Sequence, residues 1–291
     1  MISISKRSLL VAIVSARSLA AQRTAGDTVA HDTTATRSDS TVPVLDLGVA
    51  AVTQPVHFDR RLAAGLVLGS LALIPLDKSA ETWLQGPRLQ GSSALQSAAN
   101  GFNWLGGTGL VAGSVAALAV GRLTGNDRLS EVGLRTTEAI VASGAIVGVA
   151  KGLVGRQRPY LEKTDPADFF VGRGFGNGAL TSFPSGHTAA AFSAATVLSL
   201  EARRTWPRAA PVITPLLYGG ATAVGLARMY DSKHWASDVA LGATIGTFTG
   251  IQVMRFNDAH PENRLARWLT HVSVEPNGTR GVGVGVSLPL R

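Results

Sequence analysis

Three short stretches of this 291-residue sequence set cationic, hydroxyl and imidazole side chains at the ends of apolar runs. The first is Lys151-Gly-Leu-Val-Gly-Arg-Gln-Arg158-Pro159. Its seven-residue spacing is close to two helical turns, so a continuous helix would carry Lys151 and Arg158 on one face and send Arg156 elsewhere. Two converging cations can hold an anion such as phosphate, and Arg adds a fork of donors that Lys lacks. Taken alone, the pair reads equally well as positive residues at a membrane rim.

The second stretch, Ser182-Phe-Pro-Ser185-Gly186-His187, has the residue types of a helix start. Free N–H groups there bind anions, Gly186 allows close backbone approach, Ser185 offers a hydroxyl donor, and His187 has the chemistry to protonate a departing oxygen. By itself the motif reads as a serine N-cap beside an ordinary histidine. The third stretch runs from Arg228 through Met-Tyr-Asp-Ser-Lys to His234 and on to Asp238. Asp231 or Ser232 is the expected cap of the next helix. His234 and Asp238 stand four residues apart, so the carboxylate can accept one ring N–H and leave the other ring nitrogen free to attack. A surface i, i+4 pair of the same residues would be worth only a few tenths of a kcal/mol.

Together, Lys151-x6-Arg158-Pro159, Pro184-Ser185-Gly186-His187 and Arg228-x5-His234-x3-Asp238 closely resemble the motif set of the type 2 phosphatidic acid phosphatase (PAP2) superfamily, which includes bacterial acid phosphatases and vanadium haloperoxidases. The resemblance covers roughly Leu62 to Met254 and implies an all-α, six-helix bundle. It also implies a two-step hydrolysis without metal or other cofactor. His234 would attack phosphorus while His187 protonates the leaving oxygen, and water activated by His187 would then release phosphate. Asp238 would orient His234, and Lys151, Arg158, Arg228 and the Ser185/Gly186 backbone region would hold the phosphate oxygens. One position departs from the family pattern: Ala227 stands where serine usually precedes the arginine, so one hydroxyl contact is expected to be missing.

The elements that must position these groups are apolar stretches near Leu62–Leu76, Phe102–Gly121, Ala139–Ala150, Thr188–Leu200, Ala209–Ala227 and Val239–Met254. Several are shorter than the ~20 residues that cross a bilayer unaided, and the fifth holds Pro211, Pro215, Gly219 and Gly220. Asp127 to Glu138 reads as an amphipathic lead-in to the third stretch, with Glu131 and Arg135 four apart. Charged residues are only 16% of the chain and glycine numbers 33, a balance that favours close-packed or membrane helices. The net charge of +8 comes without Lys/Arg runs interleaved with aromatics, which argues against nucleic acid and for anionic lipid or a phosphorylated substrate. The absence of cysteine rules out disulfides and thiolate metal sites.

The ends differ from the middle. Residues 1–21, with Lys6 and Arg7, the apolar Leu9–Ala16 and Ser18-Leu19-Ala20, read as a secretory signal peptide. Residues 22–58 read as a flexible linker, 59–256 as the catalytic domain, and 257–291 as a tail. Within that tail Val272-Ser-Val274 and Val282–Val286 alternate around Pro276-Asn277-Gly278, predicting a β-hairpin.

Arg60, Arg61, Arg203, Arg204 and Arg208 point to a cytoplasmic side, whereas a cleaved signal peptide would place residues 22–61 outside. The expectation is membrane association in the cell envelope with the site facing the periplasm or outside, the alternative being a soluble periplasmic acid phosphatase. The expected substrate is a phosphate monoester or diphosphate, lipid-linked as in phosphatidate or a polyprenyl diphosphate. A vanadate-dependent haloperoxidase and a non-catalytic envelope bundle are the remaining alternatives. The oligomeric state is open.

Overall fold

The computed structural model describes residues 60–161 and 165–260, together with two backbone strands, Val272–Asn277 and Gly281–Val286. The signal-peptide and linker expectations lie outside the described residues. Helices α1 (Arg60–Ala72) and α2 (Asp77–Leu84) are joined by a 3-10 turn at Ile74–Leu76, and a short α3 (Pro87–Gln90) follows. The helices α4 (Ser93–Trp104) and α5 (Leu110–Leu123) form one rod through a π-turn at Leu105–Gly109. Four long helices complete the bundle: α6 (Asp127–Val154), α7 (Gly186–Thr205), α8 (Ala210–Tyr230) and α9 (Ala236–Ala259). The all-α bundle expected from the sequence is therefore present, with α1–α2 and α4–α5 each acting as one rod. The described strands β1 (Val272–Asn277) and β2 (Gly281–Val286) pair antiparallel, with Val272 opposite Val286.

Local chemistry sets the helix limits. Asn126 caps α6 by accepting from the Leu129 N–H at 3.0 Å, and Glu131 pairs with Arg135 at 3.2 Å one turn further in. At the other end Gly155 takes a left-handed conformation, φ 65°, and its N–H closes on the Lys151 carbonyl. That stop corrects one expectation. Lys151 is in the last turn of α6, but Arg158 lies beyond it in the loop, so no shared helix face aligns the two. Pro215, by contrast, does not break α8, which continues from Ala210 to Tyr230.

The centre of the bundle is α7, packed by α6, α8 and α9. Its buried side chains are small: Ala189, Ala191, Ser193, Ala194, Ala195 and Thr196. Opposite them, α9 presents Gly242, Gly246 and Gly250, one per turn. A Cβ at Gly246 would stand 2.2 Å from the Ala189 carbonyl oxygen, and one at Gly250 would stand 2.8 Å from Thr196 Cβ. Small residues on both sides let the two backbones approach as helices do in membranes. Val224 with Ala221 on α8 and Met254 on α9 with Ala139 on α6 fill the flanks.

The outer helices leave apolar side chains uncovered, among them Leu68 at 65%, Val141 at 65% and Leu216 at 70% exposure. Among the described residues, four segments are long and apolar enough to cross a membrane: Arg61–Leu84, Ser93–Leu123, Asp127–Val154 and Ala210–Tyr230. Water would penalise so much exposed hydrocarbon; lipid does not. The protein is accordingly membrane-associated, its outer rods facing lipid and its small-residue helix α7 sheltered within.

Candidate active site

At one end of the bundle the last turn of α6, the first turn of α7, the last turn of α8 and the entry to α9 meet. The loop after Gly155 carries Arg158 across this end. Its Nε donates to the Gly178 carbonyl at 3.0 Å, one Nη to the Thr181 hydroxyl at 3.0 Å and the other to the Lys233 carbonyl at 3.2 Å. The Lys151 ammonium donates to the Thr181 carbonyl and, at 3.4 Å, to that of Ser182. Arg228 donates to Asn103 Oδ1 at 3.0 Å, while Asn103 Nδ2 donates to Asp231 at 2.6 Å. These three cations surround the histidines. All three push protons off the ring of His187, and Lys151 and Arg158 do so at His234.

Each sequence-predicted residue thus has a place in one cluster, though some do not act as the spacing suggested. Gly186 opens α7, and a Cβ there would lie 3.9 Å from Lys151 Cε, so the first-turn backbone faces the cation. Ser185 does not cap α7 through its side chain. Its buried hydroxyl accepts from Thr188 at 2.8 Å. Neither Asp231 nor Ser232 caps α9; Asp238 reaches back instead and accepts from the Trp235 N–H at 2.9 Å. His187 rests against the π-turn, where a side chain at Gly107 would come within 2.9 Å of its Nε2. Such turns concentrate at functional sites because they shift a helix face by one residue.

His234 is 4% exposed, and its Nδ1 stands 3.6 Å from Asp238 Oδ2. That is beyond hydrogen-bond length, and Nδ1 has no other partner. Burial, outweighing the pull of Asp238, lowers the His234 pKa to about 3; burial and then Arg228, Lys151 and Arg158 lower that of His187 to about 4. Both rings are therefore neutral at pH 7. Burial alone would raise the Asp238 carboxyl, but His234, Arg156 and Ser182 hold it below the usual range. A neutral, buried imidazole with its Nδ1 edge toward a carboxylate has Nε2 available as a nucleophile.

Sequence reasoning missed the groups that hold Asp238. Arg156, sent elsewhere by helical spacing, is fully buried and donates to Asp238 Oδ1 at 2.6 Å and to Asp77 Oδ2 at 2.7 Å. Ser182 donates to Asp238 Oδ2, and Ser237 joins Arg156 to Asp77. Asn103 was missed as well. A signal for Asp77 was available: it is a lone acid after Leu73-Ile-Pro-Leu76, where an unpaired charge would be costly. Ala227 needs a correction too. It packs with Ala99, Tyr230, Leu89 and Phe102, so a serine hydroxyl at that position would face an apolar cluster rather than the anion site.

The fold and this constellation define a helical membrane protein in which three cations gather near a buried histidine. Residues 133–261 match the PAP2 superfamily, the family whose motif set the sequence resembles. Every site residue expected from the motifs falls inside that match, whereas Asp77 and Asn103 lie outside it. Over 74 residues the chain is 42% identical to the lipid A 1-phosphatase of Porphyromonas gingivalis, a stretch covering 25% of this chain and 15% of that relative's length. A solved transmembrane PAP2 type phosphatidylglycerolphosphate phosphatase from Bacillus subtilis shares the fold, with a TM-score of 0.52 and 19% identity, over 68% of this chain and 96% of that one. LpxE from Aquifex aeolicus aligns with a TM-score of 0.47 and 26% identity, over 62% of this chain and 95% of that one.

Proposed function

We propose that this protein is a membrane phosphatase that removes phosphate from lipid-linked phosphate esters or diphosphates through a phosphohistidine on His234. The observation that carries the reading is the neutral, buried His234 beside Asp238, with Lys151 and Arg158 close enough to act on its ring. In the first step His234 Nε2 forms a bond to phosphorus as the bond to the leaving oxygen breaks. His187 gives that oxygen its proton. In the second step water attacks the phosphorus, His187 takes the water's proton, and the P–N bond breaks to release inorganic phosphate. Burial and then the three cations lower the His187 pKa; an anionic phosphate offsets the part due to the cations and so favours the protonated acid. Lys151, Arg158, Arg228 and the amides at Gly186 neutralise charge on the transferred group, which needs no metal for that purpose.

A lipid substrate is supported by the apolar outer helices and by the similarity to the lipid A 1-phosphatase of Porphyromonas gingivalis. The orientation follows from charge. Arg203, Arg204 and Arg208 lie at the far end of α7 from His187, and Arg122 and Arg128 flank the α5–α6 connection, at the far end of α6 from Lys151. By the positive-inside rule that end is cytoplasmic and the site faces outside. Under this orientation α1 begins inside, so residues 1–21 would be a retained segment rather than a cleaved signal peptide.

The test is phosphate release by detergent-purified protein from phosphatidate, polyprenyl diphosphate, lipid A and soluble esters, with His234→Ala as control. Release by wild type and loss of at least about a thousandfold in the variant are expected. No release from any substrate, or equal rates in the two proteins, would sink the reading.

A further inference from the structure

Outside the residues that meet phosphate, the densest polar cluster is a buried one centred on Arg156. Its guanidinium uses every donor: Nε and one Nη bond the Pro166 carbonyl at 2.9 and 2.6 Å, that Nη also bonds Asp77, and the other Nη bonds Ser237 Oγ at 2.7 Å and Asp238. Phe169, Trp235 and Phe183 stack around it, the nearest ring centroid 5.0 Å away. Asp77 also accepts from the Ser237 N–H at 2.8 Å and from its hydroxyl. Asp77, Arg156 and Asp238 all have no solvent exposure.

Two carboxylates against one guanidinium leave this cluster with a net negative charge beside His234. Were Asp77 absent, Arg156 would have Asp238 as its sole counter-ion, and the Asp238 charge would be spent on Arg156 rather than on the imidazole. With Asp77 present, Arg156 is already neutralised, so Asp238 keeps its charge for the ring 3.6 Å away. The partners also fix direction. Arg156 pulls on Oδ1 while Ser182 and the Trp235 N–H hold Oδ2, so the carboxylate has one orientation.

We propose that Asp77, acting through Arg156 and Ser237, is a positioning residue for the His234–Asp238 pair, so that the catalytic apparatus extends into helix α2, outside the stretch that matches the family. The proposal rests on the phosphatase reading above. It assigns to the N-terminal rod a role in the chemistry: α2 carries the counter-ion that lets Asp238 serve His234.

Asp77→Asn tests it, because the amide preserves an acceptor for the Ser237 N–H while removing the charge. The groups facing His234 are Asp238 from α9, Lys151 from α6 and Arg158 from the loop, and none of them is altered. The expected result is a fall of about tenfold in kcat with KM and inhibition by inorganic phosphate within about twofold, as for outer groups that orient a reacting one. Removing a buried negative charge also makes protonated His234 less favourable, so the acid limb of kcat moves to lower pH. A residue that only packed the fold would not move that limb. Folded Asp77→Asn with wild-type kcat and an unmoved acid limb overturns the proposal, provided wild type releases phosphate; if wild type releases none, the phosphatase reading falls first. Should Asp77→Asn fail to fold, Ser237→Ala, which removes the hydroxyl joining Asp77 to Arg156 but no charge, decides in its place: kcat falls by a smaller factor with KM unchanged, and an unchanged kcat overturns the proposal there as well.

Discussion

Asp238 Oδ2 lies 3.6 Å from His234 Nδ1 while accepting from the Ser182 hydroxyl and the Trp235 N–H. The carboxylate is thus aimed at the ring but held short of it. Catalytic hydrogen bonds often close only once substrate is bound, and a positive charge developing on His234 during attack would draw the two together. Asp238→Asn should therefore lower kcat by about a hundredfold or more, since the amide cannot stabilise that charge and leaves Arg156 short of a partner. KM should change little. Steady-state rates on the substrate that wild type hydrolyses, with circular dichroism to confirm the fold, check this; a variant with wild-type kcat contradicts it.

The histidine pKa values give a pH prediction whose sign can be worked out. The pKa of His187 is lowered to about 4 and that of His234 to about 3, against 6.5 for the free side chain. As pH falls through 6.5 the unfolded chain takes up protons that the folded chain refuses. Their contribution to stability is therefore full above about pH 6.5 and is lost as pH drops toward 4 and 3. The melting temperature should fall across that window, and less steeply in His187→Asn, which has no ring to titrate. Parallel slopes for the two proteins in thermal melts from pH 7 to pH 4 would refute the assignment.

Asn103 and Ala227 bear on Arg228 from opposite directions. Asn103, at the end of α4, accepts from the guanidinium and donates to Asp231, whereas Ala227 sits in the apolar cluster on another face of α8. Asn103→Ala should raise KM about five- to tenfold by freeing Arg228, in line with loss of a hydrogen bond to a charged group. Ala227→Ser, which restores the residue usual in the family, should leave KM unchanged, because its hydroxyl would face Ala99, Tyr230 and Phe102. Measuring KM for both variants separates the two; a tighter KM in Ala227→Ser would show that the hydroxyl reaches the phosphate after all.

The same contrast shows what the sequence could reveal. The residues proposed to carry the chemistry, Lys151, Arg158, His187, Arg228, His234 and Asp238, stood out because each is a polar group at or just beyond the end of an apolar run, where an idle charge is costly. The all-α architecture followed from six apolar stretches. What stayed hidden were side-chain directions set by local backbone. The left-handed Gly155 ends α6 before Arg158, turning Arg156 inward and leaving Arg158 to be placed by Gly178, Thr181 and Lys233. Asp77 and Asn103 act across 79 and 125 residues of sequence, on Arg156 and Arg228. No periodicity carries information over such a distance.

The glycines of α9 join the packing of the bundle to the geometry of the site. A Cβ at Gly242 would stand 2.5 Å from the Ser185 carbonyl oxygen, and the Ser185 N–H donates to the Asp238 carbonyl at 3.0 Å. The first turn of α7 is therefore spaced from His234 and Asp238 by the absence of a side chain at Gly242. Gly242→Ala should lift that turn away, costing about 1–3 kcal/mol of stability as overpacking does and raising KM for the phosphate substrate. Gly246→Ala, whose Cβ would meet the Ala189 carbonyl at 2.2 Å one turn further from the site, should cost as much stability with a smaller effect on KM. Gly144 on α6 has nothing within 4 Å of the same added atom, and Gly144→Ala should be neutral or stabilising by about 0.5–1 kcal/mol through helix propensity. Thermal melts in one detergent, paired with KM, would rank the three variants. Equal melting temperatures for Gly242→Ala and Gly144→Ala would mean that α7 and α9 are not held together by close backbone contact.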